Sequence, residues 1–170
     1  MNPYVIKKWQ VNETVADASQ NYIEIEGRAG GLLSWLMSKV GISPTVKVEI
    51  GAEQIRFAEG SLAGNAHRII PLENISSTFY GYAKPWKEAL LIAIVLGVPT
   101  FGIGVILAIL YYYLNKSMTV GFVEVSGVVN GIAFKRSVIE GIKVDESQAQ
   151  QVAELTQKLI DVRRRSSLQR

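Results

Sequence analysis

Cysteine is absent from the 170-residue chain, and histidine occurs once, as His67. The first absence excludes disulfides, thiol nucleophiles and thiolate metal sites, and the second excludes HExxH and other sites with several histidines. With one histidine, a Ser-His-Asp arrangement is disfavoured. No pair of carboxylates has a base or a further metal ligand beside it in the sequence. We therefore predict a non-catalytic protein without a metal ion or cofactor.

A strong charge of either sign is also missing. The net charge is +3, and the four arginines and one aspartate of residues 160–170 account for all of it. Because nucleic-acid binding requires a basic face or stripe, we expect no nucleic-acid partner. Arg163, Arg164 and Arg165 are candidates for contact with anionic lipid. Alternatively, they are solvated residues that complement the dipole at the end of a helix.

One long apolar stretch lies in the middle of the chain. Residues 89–114 contain no charged residue, and soluble strands or helices rarely run this far without one, so we predict a membrane segment. The beginning of the sequence contains neither the apolar core nor the cleavage site of a secretory signal. The residues on either side of the segment are therefore expected to fold by themselves.

The centre of this stretch favours a re-entrant hairpin over a single span. Pro99 and three glycines within residues 97–104 weaken a continuous helix, and arms of roughly ten residues are each too short to cross a bilayer. Small residues recur every four positions on both arms, as they do where membrane helices pack closely. The residues predicted to form this packing, within the hairpin or between subunits, are Ala89, Ala93, Gly97, Pro99, Gly104 and Ala108.

Basic and aromatic residues occur at both ends of the segment, whereas a single span usually has a basic bias on one side. This pattern favours a hairpin with both ends on the cytoplasmic side. A short apolar helix within residues 32–40 either lies in the headgroup region or covers one end of the neighbouring domain. The residues predicted to lie at the membrane interface are Trp35, Leu36, Lys84, Trp86, Lys87, Tyr111, Tyr112, Tyr113 and Lys116.

Alternating apolar and polar residues on both sides of the segment predict β-strands. The predicted strands are residues 45–50, 54–58, 67–70 and 77–82 before the segment, and residues 119–129 and 132–139 after it. Asn130-Gly131 separates the last two and predicts a type I′ turn.

A helix is predicted at the end of the chain. Asp145 and Gln148 have the spacing of a capping box. The apolar residues that follow recur at intervals of three and four and predict a stripe that lies on a sheet. These residues are Val152, Leu155, Leu159 and Val162.

This order of elements, together with the phrase R-I-I-P-L-E-N-I-S-S at residues 68–77, resembles the bacterial pleckstrin-homology-like (PH-like) domains. The resemblance covers residues 45–83 and 117–165. It implies a small antiparallel β barrel or sandwich with a C-terminal helix, in which Ile70, Leu72 and Ile75 face the core. It also implies homo-oligomers, because bacterial members of the group often form rings. The inserted apolar segment and the additional N-terminal residues depart from the family pattern.

The predicted fold class is α+β. The N-terminal arm, with a candidate strand at residues 22–26, is followed by a β domain that the hairpin interrupts, and a basic tail ends the chain. The corresponding ranges are 1–44 for the arm, 45–83 and 118–165 for the two halves of the β domain, 84–117 for the hairpin and 166–170 for the tail.

The predicted function is that of a membrane-anchored, non-catalytic PH-like scaffold that self-assembles on the cytoplasmic face and organises or shapes the membrane. Its predicted partners are the lipid bilayer, further copies of the same chain and an unidentified protein. The alternatives are a small oligomeric pore or transport component and an anionic-lipid-binding module. The lack of charged residues in residues 89–114 disfavours the pore.

Overall fold

A computed structural model describes residues 3–14, 20–30, 45–61, 64–97, 99–135 and 141–168. The predicted short helix with Trp35 and Leu36 lies outside the described residues. The same holds for the last residues of the final predicted strand.

The described residues form eight strands and three α-helices, with a 3₁₀ turn at Leu72–Asn74. The strands are β1 (Tyr4–Val11), β2 (Asn21–Ala29), β3 (Thr45–Gly51), β4 (Gln54–Ser61), β5 (Gly64–Pro71), β6 (Ile75–Ala83), β7 (Ser117–Glu124) and β8 (Val129–Lys135). The helices are α1 (Trp86–Gly97), α2 (Ile103–Leu114) and α3 (Glu146–Leu168).

All eight strands belong to one sheet, in the order β5-β4-β3-β2-β1-β8-β7-β6. Neighbouring strands are antiparallel except β1 and β8, which are parallel and meet at Tyr4 and Phe134. The prediction of an α+β fold is confirmed. The expectation of a purely antiparallel sheet needs correction at this one pairing.

The region predicted as an N-terminal arm supplies two strands from the middle of the sheet. β1 pairs with β2 and β8, and β2 also pairs with β3. These two strands therefore connect the part of the sheet before the apolar segment with the part after it. Ile6, Ile23 and Ile25 are buried in the common core. Burial of these apolar side chains stabilises β1 and β2 in the middle of the sheet.

A single apolar core joins the sheet and α3. Ile70, Leu72 and Ile75, at the passage from β5 to β6, are almost fully buried, as the PH-like resemblance implies. The rings of Phe57 on β4 and Phe122 on β7 lie 5.3 Å apart. Since these two strands are far apart in the strand order, their contact shows that the sheet curls around the core.

The capping box at the start of α3 is confirmed. The backbone N–H of Gln148 donates to the Asp145 carboxylate at 2.9 Å, and the backbone N–H of Asp145 donates to the Gln148 side chain at 3.0 Å. Further along, Val152 and Leu155 are buried as predicted, whereas Val162 is 67% exposed and Ile160 is buried instead. The apolar stripe that faces the core therefore includes Ile160 and not Val162.

The predicted turn at Asn130-Gly131 is wrong. Both residues lie within β8, and the chain reverses at residues 125–128, where Gly127 has a φ of +84°. Gly131 pairs with Gly121 across the two strands. A Cβ on Gly131 would lie 2.8 Å from the Val120 carbonyl oxygen. Close packing, and not turn geometry, is therefore what requires this glycine.

Candidate functional site

Helices α1 and α2 form a helical hairpin that extends the β6–β7 strand pair. The pairing of Ala83 with Ser117 is the last of that ladder, and α1 begins three residues after Ala83. The two helices pack mainly against each other. We call the end beside Ala83 and Ser117 the base of the hairpin and the turn at residues 99–102 its tip.

The two helices approach each other closely at Gly104. A Cβ on this residue would lie 2.3 Å from the backbone nitrogen of Gly97 and 2.3 Å from the carbonyl carbon of Leu96. Ala89 and Ala108 are buried. Small side chains therefore allow the close approach that the spacing predicts. Ala93 is half-buried and lines a groove along one side of the hairpin.

The turn at the tip is held by its own hydrogen bonds. The Thr100 hydroxyl accepts the backbone N–H of Gly104 at 2.9 Å and donates to the carbonyl oxygen of Leu96. Gly102 adopts a left-handed conformation with a φ of +94°, which glycine tolerates without strain. Pro99 lies exposed in this turn and therefore does not contribute to packing between the helices, where the sequence placed it.

Apolar side chains cover the outer surface of the hairpin. In the described part of the hairpin, thirteen aliphatic and phenylalanine side chains are at least 40% exposed, and Phe101 at the tip is fully exposed. They are Leu90, Leu91, Ile94, Val95, Leu96, Phe101, Ile103, Val105, Ile106, Leu107, Ile109, Leu110 and Leu114. A continuous apolar surface of this extent marks an interaction site.

Each helix of the hairpin has 12 residues, which gives a length of about 18 Å at 1.5 Å per residue. In the described part of the chain, no helix is both long enough and apolar enough to cross a membrane.

Lysine side chains lie against aromatic rings at the base of the hairpin. The Lys84 ammonium group lies 4.9 Å from the centre of the Tyr112 ring and 5.3 Å from that of Tyr113. Lys87 lies 5.7 Å from the Trp86 ring. These distances are within the range of cation–π attraction. The structure thus brings the predicted interface residues of the two helix ends together in one belt.

Two further contacts extend this basal belt. Lys116 lies 3.9 Å from the centre of the Tyr82 ring and also bonds to Glu146 at the start of α3. Tyr111 lines a cavity at the base. Sequence reasoning missed Tyr82, although its position two residues before Lys84 in an aromatic-rich strand is a signal that could have identified it.

The three arginines of α3 lie at the other end of the domain from the basal belt. Arg164 donates to the carbonyl oxygen of Ile75, the first residue of β6, whereas the hairpin base lies at the last residue, Ala83. Ile75 and Ala83 are eight residues apart, a distance of about 26 Å along a strand. Arg163 forms an ion pair with Glu53 at 3.4 Å. The structure therefore does not bring Arg163, Arg164 and Arg165 together with the hairpin, and their contact with anionic lipid stays a prediction.

Apart from the hairpin, the β domain has an opening of about 800 Å³ between β4, β5 and β8. Four of its polar side chains bond in pairs: the Tyr4 hydroxyl donates to Glu59, and the Arg68 guanidinium donates to the Asn130 side-chain oxygen at 2.7 Å. Burial and the neighbouring Glu59 carboxylate raise the pKa of Tyr4 to about 12. No pattern in the sequence indicated this opening.

Comparison with protein-family models, curated proteins and solved structures finds no match for the chain. Among the described residues, no group of three or more His, Cys, Asp or Glu side chains is placed to hold a metal ion.

Proposed function

We propose that the protein is a non-catalytic, membrane-anchored scaffold whose helical hairpin inserts into one leaflet of the bilayer. The β domain, with a PH-like architecture, then lies on the cytoplasmic side and carries the contacts for self-assembly. The observation that supports this proposal most strongly is the apolar outer surface of the hairpin, which ends in the fully exposed Phe101.

The free energy of insertion is favourable on this geometry. A fully buried Leu, Ile or Phe side chain contributes about 1.5–3 kcal/mol relative to an exposed one. The thirteen apolar side chains are about half exposed, so each would contribute about 1 kcal/mol on entering lipid, and together on the order of 10 kcal/mol. Backbone groups within both helices are already hydrogen-bonded, which removes the largest cost of entering the hydrocarbon.

The length of the hairpin favours insertion into a single leaflet. A helix of about 18 Å reaches slightly beyond the middle of a hydrocarbon core about 30 Å thick. The turn at residues 99–102 then lies near the bilayer midplane. The lysines and aromatic rings of the basal belt lie at the level of the headgroups, where tryptophan and tyrosine are enriched.

Self-assembly is supported by the edge strand β5. Residues 64–69 of this strand are exposed, and β5 pairs with β4 alone in the described part of the sheet. An exposed strand edge is a template for pairing with another chain. We propose that copies of the protein associate along this edge. The molar mass of the purified protein in detergent tests this part, and a monomer at all concentrations would contradict it.

Flotation with liposomes tests the membrane anchor. Ile106→Glu and Leu91→Glu place a charge on opposite helices of the hairpin, at side chains 61% and 62% exposed. The control, Val129→Glu, places the same charge at a 61% exposed position of β8. A charged side chain at the centre of the hydrocarbon costs about 3 kcal/mol, so we expect each hairpin variant to float less than the control, which retains the flotation of the unsubstituted chain.

Equal flotation of all three variants would contradict the anchor. Ion conductance of the purified protein in planar bilayers would contradict the scaffold and favour the pore.

A further inference from the structure

A groove and a basic cavity meet at the base of the hairpin. The groove, of about 480 Å³, runs along one side of the two helices from Trp86 and Tyr112 to Ala93 and Val105. Between Trp86 and Ala93 it is about 10 Å long. Its lining is almost entirely apolar, and the small side chain of Ala93 leaves it open.

The basic cavity, of about 390 Å³, shares Trp86 with the groove. It is lined by Lys84, Lys87 and Lys135, with Glu88 as its one described carboxylate. None of the three lysines forms an ion pair with an acidic side chain in the described part of the chain. The cavity therefore has an excess of positive charge.

The lysines lie directly beside the rings that line the groove. Lys84 is within cation–π distance of Tyr112 and Tyr113, and Lys87 of Trp86. The apolar groove thus ends in a cluster of positive charge. An amphiphile with an apolar chain and an anionic head matches both parts at once.

We propose that this pair of cavities is a binding site for one anionic glycerophospholipid, with an acyl chain in the groove and the phosphate between Lys84 and Lys87. The inference rests on the proposed membrane anchor and names the lipid class that the anchor selects. Charge favours a lipid over the hairpin of a second copy, because a second hairpin would bring further lysines against Lys84 and Lys87.

Trp86 provides a reporter inside the site. The full chain with Trp9→Phe and Trp35→Phe retains Trp86 as its single tryptophan. Two sets of phosphatidylcholine vesicles are compared. One contains a small fraction of brominated phosphatidylglycerol, and the other contains the same fraction of brominated phosphatidylcholine. We expect brominated phosphatidylglycerol to quench Trp86 fluorescence more strongly than brominated phosphatidylcholine.

Variants of the lysines test the charge requirement. Lys84→Gln or Lys87→Gln should each lower the preference about fivefold, the factor that corresponds to about 1 kcal/mol for a basic residue near an anionic surface. Lys158→Gln removes the same charge from an exposed position of α3 and should leave the preference unchanged. Ala93→Phe should fill the groove and abolish the preference while flotation persists.

Equal quenching by the two brominated lipids, with flotation intact, would overturn the lipid site and leave the membrane anchor standing. Loss of the preference on addition of excess inorganic phosphate would assign the lysines to free anions instead of a lipid. A change of molar mass in Ala93→Phe without a change in quenching would assign the groove to subunit contact. Absence of flotation in the unmodified chain would refute the anchor itself.

Discussion

The contact at Gly104 gives the sharpest test of how the hairpin packs. Substitution Gly104→Leu places a Cβ 2.3 Å from backbone atoms of Leu96 and Gly97. Carbon atoms in contact prefer about 3.5 Å or more, so the helices must separate by about 1.2 Å at this point. Overpacking of this kind costs about 1–3 kcal/mol. The higher helix propensity of leucine offsets less than about 1 kcal/mol of it.

Gly97→Ala is the control on the facing helix. Its Cβ would lie 3.2 Å from a methyl group of Val105, a contact that a small side-chain movement can relieve. Because the chain has no cysteine, spin labels can be attached at Leu90→Cys and Ile109→Cys, on the exposed flanks of the two helices. Pulsed electron paramagnetic resonance in detergent then measures the distance between the helices.

We expect Gly104→Leu to lengthen and broaden the distance distribution and Gly97→Ala to leave it close to that of the unsubstituted hairpin. If Gly104→Leu keeps the original distribution, the two helices do not pack through this glycine, and the reasoning from small residues at four-residue spacing is refuted.

Two further predictions concern the β domain. Gly131→Ala should lower the free energy of unfolding by about 1–3 kcal/mol, because its Cβ meets the facing backbone. Gly81→Ala, where a Cβ meets nothing within 4 Å, is the control in the same urea-unfolding measurement. Equal stability of both variants would contradict the close packing. Hydrogen bonds from the Gln148 backbone and then the Ser147 side chain lower the pKa of Asp145. The ionised Asp145 side chain therefore stabilises the fold fully above the unfolded-state pKa of about 3.9, and this stabilisation is lost as the pH falls through the lower folded-state pKa. Asp145→Ala should therefore lower the Tm at neutral pH, with a deficit that shrinks in acid, and a deficit that is constant with pH would contradict the charged cap.

Local sequence signals predicted the elements that depend on neighbours along the chain. Pro99 and the nearby glycines divide the apolar stretch into two helices, and the spacing of Ala89 and Ala108 places both at the helix contact. The capping box at Asp145 requires only residues three positions apart. In each of these cases the interacting groups lie close in sequence, so their spacing is enough to predict the contact.

Features that depend on distant partners could not be predicted. β1 acquires its place between β2 and β8 from pairings with strands far away in sequence, and nothing local in the first residues indicates them. At Gly131, packing against β7 overrides the turn preference of Asn-Gly. The pairing of each lysine with a particular ring in the basal belt also depends on how the two helices meet, which the sequence does not specify.

The depth of the hairpin tip in the bilayer tests the central proposal most directly. Phe101→Cys, labelled with a small fluorophore and reconstituted into vesicles, can be quenched by lipids that carry nitroxides at different depths or by an aqueous quencher. We predict the strongest quenching by nitroxides near the bilayer midplane, whereas a label at Ser61→Cys on the β domain responds to the aqueous quencher alone. Aqueous quenching of the label at residue 101 equal to that at residue 61 would contradict insertion of the hairpin.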